Sequence, residues 1–265
     1  MTKLRFSRKQ LCIPYALFLI LFVIAPLFVI VYYAFTDGEG KFSFANFANF
    51  FTSTNTLGTL FYSFGLAIVT TLVCLAIAYP TAYILARSNI RKKYVLLMLF
   101  VLPMWINFTL RITALKEILS LIEGNISRYP FFNSVVGMTY DFLPFMLLPL
   151  YTSLQKMDKS LLEAASDLGA NRVTVFLRVT LPLSVPGIIS GMTMVLLPSM
   201  TNYVVLDMLY NSDYIMGSLI GSYFAAYDWH NGSMISLVLL VIIFFVTLIT
   251  NRFSDKDASA RGGVL

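Results

Sequence analysis

Six apolar runs constrain this chain more than any other feature. They lie at roughly residues 11–35, 60–86, 94–113, 132–154, 185–206 and 233–253. Each approaches or exceeds the ~20 residues a helix needs to cross ~30 Å of hydrocarbon. In hydrocarbon every backbone N–H and C=O must find its partner within the chain, so such runs become helices. The pattern predicts an all-α membrane protein with six transmembrane helices. The first run is longer than the apolar core of about 7–15 residues in a secretory signal and has no clear small-residue cleavage site, so it reads as an uncleaved span. Composition agrees, with 58% of residues hydrophobic and 12% charged, about half the charged fraction of a soluble domain.

The basic residues orient the spans. Fifteen of the nineteen Lys and Arg fall in the arm 1–10, the loop after the second run, the polar stretch 155–184 and the end of the chain around the tail 254–265. The other four are Lys41, Arg111, Lys116 and Arg128. By the positive-inside rule both termini and the stretch 155–184 are cytoplasmic. The net charge of +6 therefore reports topology and needs no nucleic-acid partner. Residues 207–232 are expected to re-enter the membrane or lie on it. The small, polar tail is expected to be disordered.

The polar stretch is built like a docking element. Ser160 and Glu163 have the S-x-x-E spacing of a capping box. Leu161, Leu162, Ala165 and Leu168 recur at i, i+1, i+4 and i+7, as on one face of a short amphipathic helix. Gly169 suits the positive-φ position after a helix. Asn171 is placed to cap a second short helix over 172–180, which Pro182 is expected to end. From periodicity alone, an interfacial helix that merely connects two spans is the competing reading.

The spacing Glu163-Ala164-Ala165, three residues, Gly169, nine residues, Val179, one residue, Leu181-Pro182 resembles the EAA motif of binding-protein-dependent ABC importer permeases. Val179 stands where that family usually has Ile. The resemblance implies that residues of this stretch (Ser160, Leu161, Leu162, Glu163, Ala164, Ala165, Leu168, Gly169 and Pro182) couple the chain to a cytoplasmic ATPase. It also implies the type I importer permease fold. Further segments are similar to the spermidine/putrescine permeases, most of all to the first of the two in that system. They are 103–107 with 110–112 and 115–116, 148–153 with 158–165, and 186–191 with 197–198, 203–204 and 206–207.

That resemblance implies a bacterial plasma-membrane permease in a heterodimer with a second homologous permease. Two copies of an ATPase and an extracytoplasmic polyamine-binding protein complete the expected complex. ATP and Mg would sit on the ATPase, with no cofactor on this chain. The implied mechanism is alternating access, with the two permeases rocking between inward- and outward-open states. Two other readings remain at this point. One is the same machine carrying another small amine, an amino-acid derivative or an organophosphonate. The other is a self-contained channel or secondary transporter, though no internal repeat is visible.

The residue inventory is poor in catalytic chemistry. The one Gly-Lys pair, Gly40-Lys41, is followed by Phe42 and lacks the earlier Gly of a phosphate-binding loop. There is a single histidine, His230, and Cys12 and Cys74 suggest neither a disulfide framework nor a metal site. The expectation is a non-catalytic subunit.

The candidate residues of a path for a cationic solute are Trp105, Asn107, Asp141, Tyr203 and Asp207. Trp105, about 11 residues into the third span, and Asn107 are expected near mid-bilayer. A Trp face holds an ammonium group by cation–π attraction, and an Asn carbonyl accepts its hydrogen bond. Asp141 is an acid within a span, which marks a path by default. Asp207, Asp213 and Asp228 would make the outer mouth acidic. Structural alternatives compete at each position. Trp105 can pack against a partner subunit, and Asn107 can bond between helices. Asp141 can pair with a basic residue of the partner or lie nearer the outer interface. Asp207 can pair with Arg111, which otherwise snorkels to the outer surface. Pro144, Pro149 and Pro198 are expected to bend their helices.

Overall fold

The computed structural model describes residues 12–88, 90–210 and 215–262, with the side chains of 12, 251 and 253–262 excepted. Among the described residues the fold is almost wholly helical. Its helices are α1 (Cys12–Leu19), α2 (Ala25–Ala34), α3 (Ala45–Thr52), α4 (Thr54–Arg87), α5 (Lys93–Val101), α6 (Phe108–Glu123), α7 (Pro130–Gln155), α8 (Lys159–Asp167), α9 (Arg172–Val175), α10 (Leu181–Ser199), α11 (Tyr203–Tyr210), α12 (Met216–Ala225) and α13 (Trp229–Gly262). Five helical stretches are long and apolar enough to span a membrane: Ile13–Ala34, Thr54–Arg87, Pro130–Gln155, Arg172–Ser199 and Trp229–Thr250. A bent pair, α5 with α6, makes a sixth if it is counted as one span.

Two prolines show how a helix survives a missing donor. Pro26 and Pro182 each follow a one-turn π-helix, Ile20–Ile24 and Phe176–Thr180. There the N–H of Ala25 bonds to the carbonyl of Ile20, and that of Leu181 to Phe176. A widened turn shifts the bonding register by one residue, which accommodates the missing N–H and the ring next in line. The expectation that Pro182 ends a short helix is therefore corrected. The helix continues from Arg172 to Ser199.

Two expected spans are interrupted. The third does not run straight over 94–113. A 3₁₀ turn, Leu102–Trp105, follows α5, Ile106 is extended, and α6 departs at 100°. The fifth does not reach residue 206 as one helix. The N–H groups of Thr201 and Asn202 both bond to the carbonyl of Pro198, at 3.1 and 2.9 Å, closing α10 before α11 begins. The backbone of α13 stays helical through Gly262, where the tail was expected to be disordered.

The chain divides into two compact units. The first comprises residues 12–57 and 219–242. In it, the helix of α1 and α2 is exposed on nearly every side, as an all-round apolar surface allows only in lipid or against another subunit. A tight turn follows, in which Asp37 Oδ1 accepts from the N–H groups of Glu39 and Lys41 at 3.0 and 2.9 Å. Phe35, Phe42, Phe44 and Phe47 cluster around it. His230 sits edge-on to Tyr33, with Nδ1 3.1 Å from the Tyr33 carbonyl.

The second unit comprises residues 58–218 and 243–262. Its centre is the crossing of α7 and α10. A Cβ placed on Gly187 would stand 2.5 Å from Ser153 Cβ, and one on Gly191 2.7 Å from Met146 Sδ. The two glycines are four residues apart and share a face, the small-xxx-small device by which membrane helices approach closely. α4 joins through Tyr79, whose hydroxyl lies 2.9 Å from Ser184 Oγ. Leu66, Cys74, Met138, Met146, Leu150 and Val195 form the core of these helices, and Leu206 of α11 joins it.

Candidate functional site

The first candidate surface is the polar stretch between α7 and α10. Asp158 caps α8, its Oδ1 accepting from the Ser160 N–H at 3.0 Å. That bond holds the Asp158 carboxyl below the usual carboxylate range. Ser160 is therefore in the first turn and is not the cap, which corrects the expected capping box. Two acceptors compete for one helix start, and the carboxylate two residues earlier wins. Glu163 is exposed.

At the other end Gly169 has φ +83°, and the N–H groups of Gly169 and Ala170 bond to the carbonyls of Ser166 and Ala165. This is a complete Schellman ending. Asn171 Oδ1 accepts from the Thr174 N–H at 2.8 Å and starts α9. The expected apolar stripe divides. Leu162 and Ala165 are half-buried against the chain, whereas Leu161 and Leu168 point outward at 48% and 89% exposure. Val173 and Leu177 are likewise exposed. The stretch thus presents four large apolar side chains on capped helices, the composition of a protein-docking surface.

The second candidate region surrounds the two helix breaks of the second unit. Trp105 stands at the α5–α6 corner and is 87% exposed. Asn107 caps α6, its Oδ1 accepting from Thr109 and Leu110 N–H at 3.0 and 3.4 Å. Its carbonyl is thus engaged by the helix start and not by another helix, which corrects the interhelical bond offered for it.

Asp141 is buried near the middle of α7 and is paired with Arg111. Its second oxygen accepts from Asn202 Nδ2 at 3.2 Å. Arg111 is buried as well, donates from Nη1 to the Pro103 carbonyl at 3.3 Å, and lies 5.7 and 5.5 Å from the ring centroids of Phe108 and Tyr140. The pair is internal to the chain, Arg111 does not snorkel, and Asp207 does not take it. Lys116 is tied down too, donating to the Met208 carbonyl at 3.0 Å. Sequence reasoning missed Asn202. An amide directly after a Pro-Ser-Met-Thr run at the end of a span was the available signal.

Tyr203 and Asp207 lie one turn apart on the exposed face of α11, whose opposite face buries Val205, Leu206 and Leu209. Exposed rings and a carboxylate on one side of a helix can hold a cation. In the first unit Asp228 is occupied at the start of α13, accepting from the N–H and Nδ2 of Asn231 at 3.1 and 2.7 Å. Asp213 lies outside the described residues. Cys74 is buried and donates to the Thr139 carbonyl. Among the described residues no three His, Cys, Asp or Glu side chains cluster as a metal would require.

Comparison with known proteins agrees with this architecture. The family described as binding-protein-dependent transport system inner membrane component matches residues 5–256. The spermidine/putrescine transport system permease protein PotB of Haemophilus influenzae is 35% identical over 263 residues, covering 90% of this chain and 92% of the relative. PotB of Escherichia coli is 35% identical over 212 residues, covering 74% and 77%. Among solved structures, a bacterial alginate ABC transporter in complex with its alginate pentasaccharide-bound periplasmic protein aligns with TM-score 0.71 at 15% identity, covering 93% of this chain and 94% of the other. The methionine ABC transporter MetNI in an inward-facing conformation aligns with TM-score 0.60 at 15% identity, covering 76% and 95%. At that identity the structural likeness speaks to the fold, which is that of type I ABC importer permeases.

Proposed function

This chain belongs to the family of binding-protein-dependent transport system inner membrane components, and from that premise we propose that it is the permease subunit of an ATP-driven polyamine importer. It is a multi-pass protein of the bacterial inner membrane. The observation that carries the cargo is the 35% identity, across 90% of the chain, to a permease named for spermidine and putrescine. In this reading a second homologous permease supplies the other half of the path. Two copies of a cytoplasmic ATPase bind ATP and Mg, and a polyamine-binding protein delivers cargo from outside. Both termini face the cytoplasm, so α8 meets the ATPase with Leu161, Leu168 and Glu163 outward. The chain itself performs no chemistry. Its cargo face is Trp105, Tyr203 and Asp207, since Asn107 and Asp141 are engaged within the chain.

The test is ATP hydrolysis by the reconstituted complex of this chain with its partner permease, ATPase and binding protein. Spermidine or putrescine on the binding protein is expected to stimulate hydrolysis, and a neutral amino acid is not. Stimulation by another solute alone would keep the importer and discard the polyamine. Cargo transport with no ATPase subunit present would discard both.

A further inference from the structure

The buried pair Arg111–Asp141 and the half-buried Asn202 stand where three elements meet. Pro103, whose carbonyl Arg111 holds, is in the turn at the α5–α6 corner, two residues before Trp105. Asp141 is on α7. Asn202 ends the α10–α11 break, directly before Tyr203. Gly217 of α12 presses on the Thr201 carbonyl so closely that no Cβ fits there, which pins that break from its other side.

The corrected course of Pro182 gives this group its significance. From Arg172 to Ser199 the chain is one helix of 28 residues, about 42 Å at ~1.5 Å per residue. Its first turns belong to the exposed docking stretch, and Asn202 lies three residues past its end at Ser199, its N–H bonded back to the Pro198 carbonyl at 2.9 Å. A displacement applied at α9, to which α8 is joined by the turn at Gly169, therefore arrives at Asn202 through a rod and the hydrogen-bonded turn that closes it. From there it passes by a hydrogen bond to Asp141, by an ion pair to Arg111, and by a second hydrogen bond to the corner that carries Trp105.

We propose that Arg111, Asp141 and Asn202 are positioning residues that link the docking stretch to the cargo face, locking the α5–α6 corner and the α10–α11 break to α7 so that they move as one body. The proposal rests on the importer reading above. The pair is neutral as a whole, so it holds the corner without presenting a free charge to a passing cation. Buried ion pairs add little to stability over well-packed apolar residues, and fixing one arrangement is their best-attested use. That difference separates a positioning role from a merely stabilising one.

The experiment uses the whole complex in proteoliposomes. Ile106, at the corner and 47% exposed, is replaced by cysteine in a Cys12→Ser background, Cys74 being buried. The maleimide-labelling rate at position 106 is read with and without ATP, and cargo uptake is read in parallel. In the parent background ATP is expected to change the labelling rate. In the Arg111→Met/Asp141→Leu variant the complex is expected to assemble and keep its basal ATPase. The ATP-dependent labelling change disappears, and the maximal uptake rate falls by about two- to thirtyfold with the half-saturating cargo concentration little altered.

If the double variant does not assemble, Asn202→Ala leaves the ion pair intact and removes only the link to the rod. It is expected to abolish the same labelling change. Three results overturn the proposal: no ATP-dependent labelling change in the parent, its persistence in an assembled variant, or uptake by the double variant at the parental rate. A labelling change that depends on the clamp, in a complex that ignores polyamines, would support the clamp and discard the cargo.

Discussion

Gly187→Ala tests the central packing contact of the fold. The added Cβ would lie 2.5 Å from Ser153 Cβ, 3.0 Å from Ser153 Oγ and 3.1 Å from the Pro149 carbonyl. Carbon pairs prefer about 3.5–4.0 Å, so α7 and α10 must separate by about 1 Å at the crossing. Overpacking of that size costs about 1–3 kcal/mol. Against it, Ala is favoured over Gly within a helix by about 1 kcal/mol. The net expectation is a loss of about 0–2 kcal/mol. A control isolates the strain. Gly65 is also inside a helix, and a Cβ there meets nothing within 4 Å. Gly65→Ala gains the same propensity without the clash, so the two variants should differ by the strain itself, about 1–3 kcal/mol.

Adding Ser153→Gly removes the nearest atoms, and the double variant should recover at least about 1 kcal/mol relative to additivity. The assay is equilibrium unfolding in mixed micelles with increasing SDS, followed by helical circular dichroism. If Gly187→Ala proves as stable as Gly65→Ala, α7 and α10 do not approach as described and the reasoning fails.

Three more outcomes are expected. Leu168→Asp or Glu163→Lys should leave the complex assembled but reduce cargo-stimulated ATP hydrolysis severalfold, whereas hydrolysis and uptake at the parental rate would remove α8 from the coupling role. Trp105→Ala and Asp207→Asn should each raise the half-saturating polyamine concentration in uptake, by about two- to thirtyfold for the aromatic face, and an unchanged value would clear them from the cargo face. The lowered folded-state pKa of Asp158 means that its cap stabilises α8 at pH above the ordinary aspartate value of about 3.9. That contribution is lost as pH falls through the lower folded value. The protection of the α8 amides, taken relative to the intrinsic exchange rate at each pH, should therefore fall in acid for the native chain, and Asp158→Asn, a cap without a titrating group, should remove that dependence.

The legible part of this protein lies in features that depend on near neighbours in the chain. Apolar length and charge placement predict membrane helices and an orientation, because lipid leaves a polar backbone no other option. Gly169 and Asn171 adopt the conformations their types suggest, since helix endings are local. Asp158 shows how narrow even that margin is. Two good caps lie two residues apart, and the choice between them depends on where the α7–α8 turn ends.

What only the tertiary structure decided lies at longer range. Arg111 and Asp141 are 30 residues apart, and Asn202 is 61 from Asp141; no periodicity reports their meeting. An apolar run carries no mark of where it bends, so the corner at Ile106 and the break before Tyr203 were invisible within runs that read as continuous. A Pro reads as a stop, yet the π turn before Pro182 turns it into part of a rod. Sequence by itself determined that this chain crosses a membrane and carries a short capped helix between two spans, because those outcomes follow from solvent and local hydrogen bonding. The fold alone decided which charges are neutralised and which face outward, because that depends on which distant side chains share a buried space.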